Sequence, residues 1–190
     1  MLKFSEFKEA WENRISRDNP DPLVSGAKKF ESPQHVMKNA QKIGNIGELE
    51  LHSSATAGGG VTHFTYHPKT GQVHHVLYAA QKNETKDGPE LKFLSAHARK
   101  NSPVRMSQVY KSLVKDHGHT MVGTSHSPGA KKMWDRLRSD PELSIHGRHS
   151  DGTETELKPE DRTHAAYGAT DPAEKKIGKM NLVLRPRKQD

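Results

Sequence analysis

Between residues 91 and 137 the apolar pattern changes from strand to helix and back, twice, and that order constrains the fold more than any other feature. Residues 91–97 read as a strand. Met106, Val109, Tyr110, Leu113 and Val114 then recur at helical spacing. This helix is expected to start just after Asn101-Ser102-Pro103 and to stop at Gly118. Residues 119–125 give a short strand centred on Met121-Val122. Ser127-Pro128-Gly129 opens another helix, with serine as cap and proline at the first helical position. Ala130, Met133, Trp134 and Leu137 lie on one side of it. Asp140-Pro141 ends it, and Leu143-Ser144-Ile145 reads as a further strand.

Upstream, Phe4, Phe7, Trp11 and Ile15 predict an amphipathic helix over residues 5–16, closed by Asp18-Asn19-Pro20-Asp21-Pro22. Its apolar stripe suits docking on the chain's own core or on a partner. Ser32-Pro33 starts a second expected helix, with Val36, Met37, Ala40 and Ile43 buried and Gly44 and Gly47 closing it. Leu49, Leu51 and Ser53 alternate as a strand. Gly58-Gly59-Gly60 lacks the Lys-Ser/Thr of a phosphate loop and reads as a hinge or bulge. Residues 61–67 and 72–81 form two strands around Pro68-Lys69-Thr70-Gly71, a hairpin signal. On the second strand, Val73, His75, Leu77 and Ala79 are expected to oppose His74, Val76, Tyr78 and Ala80. Residues 83–89 read as a polar loop, residues 149–171 as turn-rich, and Asn181-Leu182-Val183-Leu184 as a last strand. The division that follows is an N-terminal helical segment (1–47), an α/β core (48–147), and a polar connection with a late strand and basic tail (148–190).

Only 31% of the residues are hydrophobic, so the core is modest. A net charge of +7 favours acidic partners: nucleic acid, an acidic protein or a phosphate-bearing cofactor. The chain has no cysteine, which excludes disulfides, thiolate zinc sites and a cysteine nucleophile. No apolar run is long enough to span a membrane, and the N-terminus lacks a signal-peptide pattern, so the expectation is a cytoplasmic protein without a membrane partner. Thirteen histidines invite a metal reading. His74 and His75 are adjacent and expected on opposite faces, while His63 and His67 are far apart along a strand. The reading is therefore no metal.

The order of elements over residues 48–147 resembles the GNAT superfamily of acyl-coenzyme A-dependent N-acetyltransferases. The stretch Gly129-Ala130-Lys131-Lys132-Met133-Trp134-Asp135-Arg136-Leu137 is similar to the family's later helix. Residues 109–137 also look like small GNAT-like proteins of tailed bacteriophages. The resemblance implies a mixed α/β (α+β) fold, with a mostly antiparallel sheet flanked by helices. It implies acetyl-CoA as cofactor, its pyrophosphate held where a strand passes into a helix with free amides. Here that segment contains Arg99, Val104, Arg105, Met106 and Ser107. The family's loop is glycine-rich, whereas this one has no glycine and includes Pro103, which removes a donor. The family's tyrosine general acid falls near Trp134, whose indole cannot supply that proton.

Ser125 and His126 follow the short strand at the mouth of the next helix, where a base near neutral pKa suits proton abstraction from an amine. The same residues also read as a serine cap with an exposed neighbour. Two functions follow as expectations. One is an acyl-coenzyme A-binding N-acyltransferase with Ser125 and His126 near the acyl group. The other is a non-catalytic GNAT-fold binding or structural protein, located in the host cytoplasm or the virion if phage-encoded. A basic nucleic-acid-binding protein is a third, carried by Lys175, Lys176, Lys179, Arg185, Arg187 and Lys188.

Overall fold

The computed structural model describes residues 37–56, 59–85, 88–123, 128–158 and 181–188. The amphipathic helix expected near the N-terminus, and Ser125 and His126, lie outside the described residues. The protein is mixed α/β, with nine strands and two helices among the described residues. The strands are β1 (Gln41–Ile46), β2 (Leu49–Ala55), β3 (Val61–His67), β4 (Gln72–Thr85), β5 (Gly88–Ala98), β6 (Thr120–Gly123), β7 (Leu143–Arg148), β8 (Glu154–Glu156) and β9 (Asn181–Pro186). The helices are α1 (Met106–Lys115) and α2 (Pro128–Arg138). The hydrogen-bonded strand order is β1-β2-β3-β4-β5-β6-β9-β7-β8. β5 pairs with β6 in parallel, whereas the pairs β1–β2, β2–β3, β3–β4, β6–β9, β7–β8 and β7–β9 are antiparallel. The chain divides into two compact units, Met1–Lys82 with Phe93–Met106, and Asn83–Lys92 with Ser107–Asp190.

In the first unit β1 to β4 form a meander. The helix expected to close at Gly44 and Gly47 gives way to strand β1 over residues 41–46. Gly47, at φ 59°, opens the two-residue connection to β2, in which Ile46 pairs with Leu49. Glycine at the first position of such a loop is a hairpin signature. The same residue ends helices, so local sequence alone leaves both uses open. The hairpin expected at Pro68–Gly71 is present: the Gly71 N–H returns to the His67 carbonyl at 2.9 Å, with Gly71 at φ 70°.

The register between β3 and β4 shifts after Thr65↔His75 to Tyr66↔Val73. His74 is the extra residue of a bulge. Beyond a bulge the alternation reverses, so Val73 joins Phe64, Val76 and Tyr78 in one buried cluster, against which Met37, Ala40 and Tyr66 pack. This corrects the expectation that Val73 shares a face with His75 and Leu77.

Residues 83–89, expected as a polar loop, are largely strand: β4 extends to Thr85 and β5 begins at Gly88. Gly88 sits at φ 100°, and a Cβ there would lie 2.8 Å from the Gly118 carbonyl oxygen. In the second unit Leu91, Met121, Leu182, Leu184, Leu143 and Ile145 are buried strand residues. Val109, Tyr110, Leu113 and Val114 of α1, with Met133, Trp134 and Leu137 of α2, are their buried helical counterparts. The rings of Tyr110 and Trp134 meet edge-on, with centroids 6.0 Å apart. Burial raises the Tyr110 pKa, which fits a packing role for this phenol. The late strand β9 enters between β6 and β7, and β8, within the stretch read as turns, pairs with β7. No helix of the described residues is long and apolar enough to cross a membrane.

Candidate functional site

The segment singled out for a cofactor lies between the end of β5 and the first turn of α1. Arg99 begins it and is buried. Its Nε–H donates to the Val73 carbonyl at 3.1 Å, and its backbone N–H to the His74 carbonyl at 2.7 Å. The bulge at His74 is thereby tied to the chain leaving β5. The Ser102 N–H in turn donates to the Arg99 carbonyl, forming a turn. Val104 is buried beside Gly47, and its N–H donates to Ser102 Oγ at 3.3 Å. Arg105 is exposed, while Met106 and Ser107 at the start of α1 are half-buried. No acidic residue occupies the first turn of α1. The positive end of the helix dipole is therefore not neutralised from within the helix. Of the five residues named from sequence, Arg105, Met106 and Ser107 lie together at the helix start. Arg99 and the Val104 amide make contacts within the first unit.

Three of the six described histidines of the first unit are interior. His63, His74 and His75 are buried. His75 Nδ1 lies 2.7 Å from Thr65 Oγ1 across the β3–β4 pair. Burial, with a smaller contribution from His74, pushes the His75 pKa down to about 4. Burial and the Arg99 cation lower that of His74. His52 stacks on Phe64 with ring centroids 5.3 Å apart and lies 3.1 Å from Glu50. The described residues contain no group of three or more His, Asp or Glu side chains suited to a metal ion.

The second unit carries a polar cluster that the sequence reading did not single out. Arg148 on β7 donates two hydrogen bonds to Glu90 on β5, at 3.0 and 2.7 Å, and a third from Nε to Glu154 on β8 at 2.7 Å. Arg185 on β9 donates to the same Glu154 at 2.5 and 3.1 Å. Ser144 Oγ and His146 Nε2 lie 3.1 Å apart on β7. The period of two in a strand was the available signal, since Ser144, His146 and Arg148 follow one another on one face. Glu154 follows Arg148 closely in the chain, but Glu90 on β5 and Arg185 on β9 come from far along it and were not foreseeable.

No known protein family, curated protein or solved structure matches the chain.

Proposed function

We propose that this chain is a GNAT-like domain that binds an acyl-coenzyme A at the start of α1, with N-acyl transfer as its activity. The observation that supports this reading is the parallel pairing of β5 and β6, joined through α1. A helix leaving one parallel strand on its way to the next presents unpaired N–H groups at its start, and these suit a pyrophosphate. Arg105, Met106 and Ser107 are the residues that would hold it: the guanidinium as a counter-charge, the two backbone amides as donors. Ser125 and His126 remain the proposed groups beside the acyl carbonyl. His126 would take the proton from the attacking amine.

A second reading has its own support. The Val104 amide is already engaged by Ser102, and Arg99 donates into the strand interior. Both leave fewer groups for a phosphate, as a GNAT fold used only for binding or structure, for instance in a phage particle, would allow.

Calorimetric titration with acetyl-coenzyme A separates the two readings. Binding that weakens in Arg105→Ala supports the first. Absence of heat and of any thermal shift at millimolar cofactor overturns it and leaves the second.

A further inference from the structure

The antiparallel pair β7–β9 sets Ser144 directly opposite Arg185, and His146 opposite Val183. Directly paired residues share a face of the sheet and approach closely. Three groups therefore converge there. Ser144 Oγ lies 3.1 Å from His146 Nε2. The Arg185 Nη atoms are held by Glu154. The Arg185 Nε–H is buried and has no hydrogen-bond partner among the described residues. A buried donor left unpaired is costly, so it invites an acceptor from outside the chain.

We propose that Ser144 and His146 form a nucleophile–base pair that accepts a small acyl group from an activated ester, with the Arg185 Nε–H receiving the carbonyl oxygen. This goes beyond the acyl-coenzyme A reading and does not depend on it. With the imidazole proton on Nδ1, Nε2 accepts the serine O–H. The Oγ–carbon bond forms as the serine proton passes to Nε2. The carbonyl π pair moves onto oxygen, which meets the Arg185 N–H. Collapse then breaks the bond to the leaving alkoxide, which takes the proton back from Nε2 and departs as the alcohol. An acyl-serine ester remains, and water hydrolyses it by the same proton path. Ser144 is nearly buried, which restricts the electrophile to a slender acyl group. Arg185, Arg187, Glu154 and Glu156 are the charged groups around His146. Burial and then Arg185 lower its pKa, so the ring is neutral and able to accept a proton at pH 7.

The full chain is incubated separately with p-nitrophenyl acetate and with an alkyl fluorophosphonate, and the adducts are mapped by peptide mass spectrometry. The expected result is one adduct, on the peptide containing Ser144, that is absent in Ser144→Ala. In His146→Gln its rate should fall at least about ten-fold, and in the unaltered chain it should decline only in acid, at a pH lower than an ordinary imidazole would give, because burial lowers the His146 pKa. No adduct, an adduct elsewhere, or a rate unchanged in His146→Gln overturns the proposal. Ser144→Cys provides a second measurement. Iodoacetamide should alkylate position 144 faster with His146 present than in a His146→Gln background, and equal rates remove His146 as the base.

Discussion

Thr65 Oγ1 and His75 Nδ1 lie 2.7 Å apart across the β3–β4 pair, and both residues are withdrawn from solvent. The hydroxyl satisfies one ring nitrogen of a histidine that burial keeps neutral. Beside it, both ring nitrogens of His74 lack hydrogen-bond partners among the described residues.

The first unit should therefore lose stability in mild acid. The folded-state pKa of His75, about 4, lies below the ordinary value of 6.5. The unfolded chain binds a proton that the folded chain refuses. Stability from this group is fully present above about pH 6.5 and is lost as pH falls toward 4, amounting to about 3 kcal/mol. His74 acts in the same direction. Urea midpoints measured from pH 7.5 to 4.5 should fall in the unaltered chain and fall less in His75→Gln. Parallel slopes would refute the assignment.

Thr65→Val tests the same contact from its other side. The substitution keeps the shape but leaves His75 Nδ1 without its partner. It should cost about 1–3 kcal/mol at neutral pH, the usual penalty for a buried polar group left unpaired. Unfolding by urea, with hydrogen exchange at β3 and β4, provides the readout.

Gly88 and Gly152 give a paired test of backbone constraint. Both have positive φ, at 100° and 86°, but only Gly88 faces a backbone oxygen at 2.8 Å from a built Cβ. Gly152→Ala should lose about 1 kcal/mol from backbone strain alone. Gly88→Ala should lose more, because the Gly118 carbonyl must also move. Equal losses would show that the close approach carries no energy.

Arg148 makes a two-pronged contact to Glu90 while also bonding Glu154. Arg148→Lys keeps the charge but cannot reproduce the planar fork. It should lower stability by about 1 kcal/mol, less than the loss in Arg148→Ala, which leaves the half-buried Glu90 without its guanidinium partner. Thermal unfolding of the two variants at low and moderate salt checks the order.

Arg99→Ala removes the bond that ties the β5 exit to the β4 bulge through the Val73 carbonyl. The loss should be about 1.5–3 kcal/mol, as for hydrogen bonds made by a charged donor. It should appear in the unfolding midpoint whether or not acetyl-coenzyme A is present. A variant with unchanged stability would return Arg99 to the group of residues available to a ligand.

Much of the fold was legible because it is local. Met106, Val109, Tyr110, Leu113 and Val114 announce α1 through spacing alone, and Pro68 with Gly71 announces the β3–β4 hairpin. These signals depend only on neighbouring residues and the steric preferences of proline and glycine. The bulge at His74 was not legible, because an extra residue shows only when the partner strand is aligned beside it. For the same reason Val73 was assigned to the wrong face. Gly47 looked like a helix stop because left-handed backbone serves helix ends and hairpin turns alike. Of the cofactor segment, the sequence supplied the position of the helix start and its positive charge. It did not disclose that Arg99 reaches Val73, or that Ser102 occupies the Val104 amide.

The sequence by itself determined the alternation of strands and helices over residues 91–137, because each element carries its own hydrophobic period. Tertiary structure decided how the strands were ordered. It placed β9 between β6 and β7, joined Arg148 to Glu90 across 58 positions of sequence, and set Arg185 opposite Ser144. Periodicity tells each strand which face to bury, but not which distant strand will supply the missing hydrogen bonds.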